Sequence, residues 1–279
     1  MSLLIAIVGC RRLLTRLATA RATWGAAPPA GVEIVYFVGA GPDPVPDWVT
    51  ALDAPDDYPS LPLKVHAVHR HLAAAKCDHV FKCDDDTYVV IDRLMAAATR
   101  LGPGDFLGAA AFHPEFASGG AGYLIPKAAS AALAQLAPPD PGPEDVVFSQ
   151  RLRTLGYGFQ PSEALRYASE PQDLPTADND IITCHWLTPL RMRQLHDHLA
   201  GLVRDPQRAE ACFVAAHGAW SGQVRLYPDG FFVGGAAAPD GLWRREGDRL
   251  KLSWFSWPED VLELQGATWR NANLSLQPA

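Results

Sequence analysis

Phe81-Lys82-Cys83-Asp84-Asp85-Asp86-Thr87-Tyr88-Val89-Val90 is the stretch from which the rest of the chain can be read. His79 to Phe81 reads as a buried strand, three consecutive carboxylates interrupt it, and an apolar run resumes from Tyr88 to Ile91. Adjacent like charges repel, so a folded chain holds them best where a cation or solvent offsets the repulsion. Hard divalent ions such as Mg2+ and Mn2+ favour carboxylate oxygens and keep positions open for phosphate oxygens. A solvated acidic turn is the plain alternative for any Asp triplet. Here the apolar flanks place the triplet at the end of a buried strand, which is where ligands bind in open α/β sheets.

The segments on either side alternate between strand and helix. Leu3 to Val8 is a continuous apolar run, as expected of a strand buried on both faces. Gly9-Cys10 turns it into a helix over Arg11 to Trp24, and a basic helix start after a strand suits a phosphate. Gly9-Cys10-Arg11-Arg12 is nevertheless not a dinucleotide fingerprint. Val32 to Val38 reads as a second buried strand, and Ser60 to Ala75 as a helix with Ser60 as cap and Pro62 in the first turn. His66, His69 and His71 on that helix invite a zinc reading, but no carboxylate accompanies them, and a partly exposed face is the default. His196 and His198 are two apart and point to different faces of a later helix.

Ile91 to Leu101 reads as a helix stopped by Gly102-Pro103-Gly104, and Asp105 to Phe112 as a strand. Ser118 to Tyr123 contains Gly119, Gly120 and Gly122, a pattern that permits close backbone approach to a ligand, with an ordinary turn as the alternative. A helix from Lys127 to Leu136 and a proline-rich loop lead to Glu144-Asp145, which open the helix Val146 to Leu155. Acids in a first turn are favoured by the helix dipole alone, and a carboxylate held there beside a metal site is also a natural general base. Asp180 to Cys184 reads as a strand running into His185 and Trp186, followed by a helix over Pro189 to Leu202.

Composition bounds the function. At 279 residues the chain has room for one large domain, or a medium and a small one. A net charge of −7 argues against a nucleic-acid binder, and no apolar run is long enough to span a bilayer. Met1 to Cys10 is too short for a signal peptide, and its arginines follow rather than precede it. The five cysteines are scattered without a C-x-x-C pair, which points to reduced thiols, a cytoplasmic setting and no thiolate cluster.

Past residue 205 the pattern changes to short alternating strands with turns such as Pro228-Asp229-Gly230 and Glu246-Gly247-Asp248. Five of the eight tryptophans (Trp220, Trp243, Trp254, Trp257 and Trp269) fall here, and the expectation is a small all-β module over 206–279 after an α/β domain over 1–205. Exposed tryptophans would form a sugar-stacking surface, but as the core of a small domain they need no ligand.

Taken together, the stretches from Leu3 to Leu199 resemble the inverting β-1,3-glycosyltransferases, the family of β-1,3-galactosyltransferases, β-1,3-N-acetylglucosaminyltransferases and Fringe proteins. The resemblance is carried by Arg16 with Arg21-Ala22-Thr23-Trp24, Val35 to Gly39, and Asp56 to Lys64. It continues through Lys82-Cys83-Asp84-Asp85-Asp86, Ser118 to Tyr123, Glu144-Asp145-Val146 and His185-x-x-x-Pro189. The chain departs from the pattern at Ser149, where the family has Gly, at Ala117, where it has Cys, and in lacking the family's luminal disulfide cysteines. The resemblance thus describes a soluble, bacterial-style catalytic domain and does not reach the tail.

It implies a GT-A-type nucleotide-binding domain with a mostly parallel central sheet, and transfer of a hexose from a UDP-sugar to an acceptor sugar hydroxyl in a β-1,3 linkage with inversion. By that pattern Asp86, His185 and Asp84 hold Mn2+ or Mg2+, and Asp145 is the catalytic base with Glu144 as its competitor. Arg16, Arg21, Lys64, Asp84, Asp85, Gly119 and Gly120 would contact nucleotide or donor, while Tyr123, Trp186 and Glu144 remain for the acceptor or for support. Two other readings stand beside it. A nucleotidyltransferase would also use carboxylates and Mg2+, but would show a glycine-rich phosphate loop after the first strand. A silent carbohydrate-binding protein would need neither the Asp triplet nor the Glu-Asp pair.

Overall fold

The computed structural model describes residues 1–110, 115–167, 181–199, 206–228, 230–234, 241–254 and 257–279. Two compact units divide them, the first ending at Asp197 and the second following it.

The first unit is an α/β domain around a seven-stranded, mostly parallel sheet. Strands β1 (Leu3–Val8), β2 (Val32–Val38), β3 (Val49–Ala51) and β4 (His79–Asp84) run parallel in the order β3-β2-β1-β4. Every residue of β1 is buried, as its apolar run requires between two parallel neighbours. The sheet continues antiparallel through β7 (Tyr123–Pro126) to β6 (Asp105–Gly108), which pairs in parallel with β8 (Gly158–Pro161). Helices α2 (Leu61–His71), α4 (Lys127–Gln135) and α5 (Glu144–Thr154) contribute Val65, Val68, Leu133, Phe148 and Leu152 to one core with Leu4, Ala6 and Val80 of the sheet. Helices α1 (Leu14–Ala22), α3 (Ile91–Arg100) and α6 (Pro189–Leu199) complete the unit's helices among the described residues, with α6 running two residues past Asp197.

A separate three-stranded sheet places the histidine that follows Cys184. In it β10 (Thr183–His185) pairs antiparallel with β5 (Tyr88–Val89) and parallel with β9 (Leu165–Tyr167). The strand pair β5–β10 thus returns the chain to the segment just after the Asp triplet.

Several expectations change. Ser60 caps no helix with its side chain; instead its backbone N–H donates to Asp57 Oδ1 at 2.8 Å. The face of α2 carrying His66 and His69 is buried rather than partly exposed. His69 Nδ1 lies 3.0 Å from Ser130 Oγ and its ring packs on Phe148. Burial, reinforced by His66 and Lys82, pushes His69 down to about 3, so it is a neutral core residue. The expected strand to Phe112 ends at Gly108, and the last residues of that prediction lie outside the described residues. So do Asp180, residues 200–202 of the expected last helix, the expected boundary at 205 and Asp229 of one expected turn.

The second unit is all-β: eight antiparallel strands, from β11 (Ala211–His217) to β18 (Leu274–Pro278), close into a barrel. Closure comes from β11, which pairs with its hairpin partner β12 (Trp220–Leu226) and also with β18. Closing the sheet removes the open edges that a meander would expose. Its core includes Phe213, Phe232, Leu252, Leu262, Trp254 and Trp269, with Trp220 and Trp243 packed against it. The tail tryptophans are therefore mainly core, and Trp257 alone of the five is exposed, at 38%.

Candidate active site

The Asp triplet lies where the parallel strands end. Asp84 closes β4 opposite Val8, its N–H donates to Gly120 O at 3.2 Å, and the Asp85 N–H donates to Val8 O at 3.1 Å. The carboxyl ends of β1 and β4 thereby open into a cleft of about 710 Å³ lined by Gly9, Arg12, Arg16, Lys64, Asp84, Asp85, Asp86, His185 and Trp186. A groove of about 740 Å³ beside α3 contains Arg93, Arg100 and Asp105 but no cluster of metal-binding groups.

Asp84, Asp86 and His185 each bring one donor atom within 4.8 Å of the others, the single such group among the described residues. His185 Nδ1 is 3.0 Å from Asp86 Oδ1 and 2.9 Å from Thr87 Oγ1, and that hydroxyl donates to Gly120 O at 2.8 Å. Asp86 Oδ1 is buried and accepts no hydrogen bond. An orphaned carboxylate oxygen beside an imidazole nitrogen, in a mixed oxygen–nitrogen donor set, fits a divalent cation such as Mn2+ or Mg2+.

The remaining charges show the same surplus of negative potential. Burial, with Asp86 and Asp84 beside it, pushes Asp85 up to about 8 despite Arg16. Arg16 Nη1 donates to Asp86 Oδ2 at 2.9 Å and lies 3.6 Å from Asp85 Oδ1, so it answers two carboxylates at once. Lys64 is buried against Gly9 O at 3.0 Å and Asp56 Oδ1 at 2.7 Å. Asp56 resists its own burial because Lys64, the Arg11 N–H and the Gly39 N–H hold it below the usual carboxylate range. Arg21 is not brought to the cleft: it is exposed, with its guanidinium 5.0 Å over the Trp48 ring.

Behind the triplet, Lys82 is wholly buried, with Nζ donating to Asp84 Oδ1 at 2.9 Å, Gly119 O at 3.1 Å and Glu144 Oε2 at 3.3 Å. Burial disfavours its charge, but Asp84 and Glu144 outweigh that and raise its pKa. Glu144 accepts from Tyr123 Oη at 3.2 Å, and burial pushes it up to about 7 against the pull of Lys82. Asp145, one residue on and only partly buried, accepts the Gly119 N–H at 2.9 Å. The glycines are needed for this packing. A Cβ on Gly119 would sit 1.5 Å from Glu144 Oε2, and one on Gly120 would sit 2.2 Å from His185 Nε2. Their close approach is to the site's own side chains.

Two residues of the site went unrecognised in the sequence. Lys82 was visible only as part of a motif, although its alternation with Asp84 along one strand puts both on one face. Thr87 carried no signal. Arg12, an exposed cation on the cleft wall, belongs to the basic helix start that suits a phosphate.

No protein-family model and no curated protein sequence matches the chain. Two of the solved structures that are similar to it are glycosyltransferases. One is the apo-form glycosyltransferase GlyE of Streptococcus pneumoniae TIGR4, at 11% identity and TM-score 0.42, covering 67% of this chain and 55% of that one. The other is the galactosyltransferase LgtC in complex with donor and acceptor sugar analogues, at 13% identity and TM-score 0.43, covering 73% and 98%. The chain thus spans little more than half the length of the pneumococcal protein.

Among the described residues no helix is long and apolar enough to cross a membrane, and none of the five cysteines is joined in a disulfide.

Proposed function

We propose that this chain is a metal-dependent, inverting glycosyltransferase of GT-A type that moves a hexose from a UDP-sugar to an acceptor sugar hydroxyl, forming a β-1,3 linkage. Galactose and N-acetylglucosamine are the donor sugars the family resemblance favours. The observation that carries the reading is the donor set of Asp84, Asp86 and His185 in a cleft at the carboxyl ends of parallel strands, with Asp86 Oδ1 buried beside His185 Nδ1 and accepting no hydrogen bond. A divalent cation held there supplies Lewis-acid neutralisation of the diphosphate charge.

The protein's own groups have the remaining tasks. Arg12 and Arg16 on the cleft wall offer positive charge to a diphosphate, and Asp85 faces the donor beside Gly9. The acceptor hydroxyl attacks the anomeric carbon from the face opposite UDP, so the new carbon–oxygen bond forms as the bond to the diphosphate breaks. The hydroxyl proton passes to the Asp145 carboxylate, and UDP leaves with the electron pair. A single displacement needs one base and no covalent sugar–enzyme intermediate. The Gly119 N–H keeps Asp145 Oδ1 in place, while Glu144, locked between Lys82 and Tyr123, is held away from such a role. Cysteines outside disulfides suit a reducing, cytoplasmic setting for this enzyme.

Calorimetric titration with UDP, first with Mn2+ and then with EDTA, tests the reading. UDP binding that requires Mn2+ is expected, followed by transfer from UDP-galactose or UDP-N-acetylglucosamine and a β-1,3 product by NMR. Absence of UDP binding under both conditions would remove the basis for a nucleotide-sugar donor.

A further inference from the structure

Trp186 is the sole non-glycine residue with a positive φ among those described, at 67°. This is the left-handed region, which side chains branching into bulky rings disfavour and which glycine or asparagine enters readily. The neighbours explain why the backbone must turn here. On one side His185 has to face Asp86 at 3.0 Å. On the other, Leu187 is 1% exposed and its N–H donates to Asp86 O at 3.0 Å. Thr188 then fixes the start of α6, its Oγ1 accepting the Arg191 N–H at 3.3 Å. These contacts hold the turn whatever side chain occupies position 186.

They do not explain why that side chain is an indole. A buried tryptophan would repay the strained backbone with apolar area removed from water. Trp186 is 47% exposed and lines the cleft beside the metal-binding group, its ring 5.7 Å from that of His185. Strain kept at such a place, by a side chain the core does not use in full, marks a functional demand on that side chain. Arg12, Arg16, Lys64 and the Asp triplet elsewhere in the cleft suit a diphosphate and a cation, while Tyr58, Leu13 and Leu61 add apolar lining.

We propose that Trp186 is a substrate-stacking residue whose indole face receives the apolar face of a pyranose ring in the cleft. The inference rests on the transferase reading for why sugars enter that cleft. The rigid indole gives the ring a flat apolar partner at low entropic cost.

The test uses the full chain with Trp186→Asn and Trp186→Gly, two residues that enter the left-handed region more easily. Melting temperature is measured first. Affinities follow by calorimetry for UDP with Mn2+, for UDP-galactose and UDP-N-acetylglucosamine with Mn2+, and for methyl β-galactoside and methyl β-N-acetylglucosaminide on the UDP-loaded protein. The expected result is a melting temperature at or above wild type in at least one variant, a UDP affinity within about twofold, and a loss of about tenfold for at least one sugar probe. A loss confined to the UDP-sugars puts the stacked ring in the donor, and a loss confined to the methyl glycosides puts it in the acceptor. Both support the proposal. Unchanged affinity for every sugar probe, an equal loss of UDP affinity, or a lower melting temperature in both variants would overturn it. So would a wild-type protein that binds UDP with Mn2+ but gains nothing from any sugar. If the wild type binds no UDP at all, the transferase reading fails and the inference with it.

Discussion

The Lys82 ammonium and the Asp84 carboxylate stand 2.9 Å apart, with the lysine completely out of water. The same nitrogen donates to Gly119 O and Glu144 Oε2, and the Gly119 N–H donates to Asp145 Oδ1. One buried cation therefore ties the Asp84 carboxylate, the glycine turn and the first turn of α5 into a single frame. All three of its protons are used, so no part of the frame can shift without leaving a buried polar group unpaired.

Removing that cation should be costly. Lys82→Met leaves Glu144, 4% exposed, and Asp84 without their shared partner. Breaking one side of a buried ion pair typically costs about 3–5 kcal/mol. Urea unfolding, with unchanged m-values, should register a loss of that order. A loss within the range of surface substitutions, about 0.5 kcal/mol, would mean the network is not what holds the sheet to α5.

Glu144 gives stability a definite pH slope. Its folded value is raised from 4.5 to about 7, chiefly by burial. The folded protein therefore holds a proton that the unfolded chain releases between those values. The resulting stabilisation is fully present below about pH 4.5 and is lost as pH rises through 7, with a slope of at most about 1.4 kcal/mol per pH unit for one proton. Glu144→Gln in EDTA should make this fall shallower across that window. Parallel stability curves for the variant and wild type would show that Glu144 does not titrate there.

Some of this was legible in the chain and some was not, for physical reasons. Leu3–Val8 and Val32–Val38 are read correctly to the residue: the first is apolar and buried throughout between parallel neighbours, while the second is fully buried only from Tyr36 to Val38 and carries an exposed Glu33. Short strands such as Tyr88–Val89 and Leu165–Tyr167 carry no such pattern, since partners far along the chain define them. Barrel closure was hidden likewise: the pairing of Phe213 with Pro278 is a register across 65 residues that no local turn specifies. At the site, the carboxylates and His185 advertise their chemistry by residue type. Lys82 does not, because lysine is ordinarily a surface residue and only the structure shows its complete burial. The left-handed backbone at Trp186 is equally invisible, since nothing in an His-Trp-Leu sequence asks for it.

The metal site should appear as a stability gain. A ligand that binds only the folded state adds about 2.7 kcal/mol at 100 times its dissociation constant. Mn2+ should therefore raise the melting temperature of the wild type, and EDTA should reverse the rise. Asp86→Ala removes the orphaned oxygen and the contact to His185, and should abolish both the Mn2+-dependent rise and Mn2+-dependent UDP binding. An Asp86→Ala protein that responds to Mn2+ as the wild type does would place the cation elsewhere.

The assignment of the base can be separated from binding. Asp145→Asn keeps an oxygen to accept the Gly119 N–H, now 2.9 Å from Asp145 Oδ1, so the turn and the cleft should persist. What it loses is the capacity to take a proton, and general-base catalysis is worth roughly 10²–10⁴-fold in rate. Transfer from UDP-galactose or UDP-N-acetylglucosamine should fall by that factor while UDP affinity in Mn2+ stays within about twofold. Glu144→Gln, by contrast, alters a residue enclosed by Lys82 and Tyr123, and its effect on transfer should track its effect on stability. If Asp145→Asn transfers at a near wild-type rate and Glu144→Gln does not, the proton goes to Glu144, and the access of an acceptor to that buried carboxylate becomes the question the site must answer.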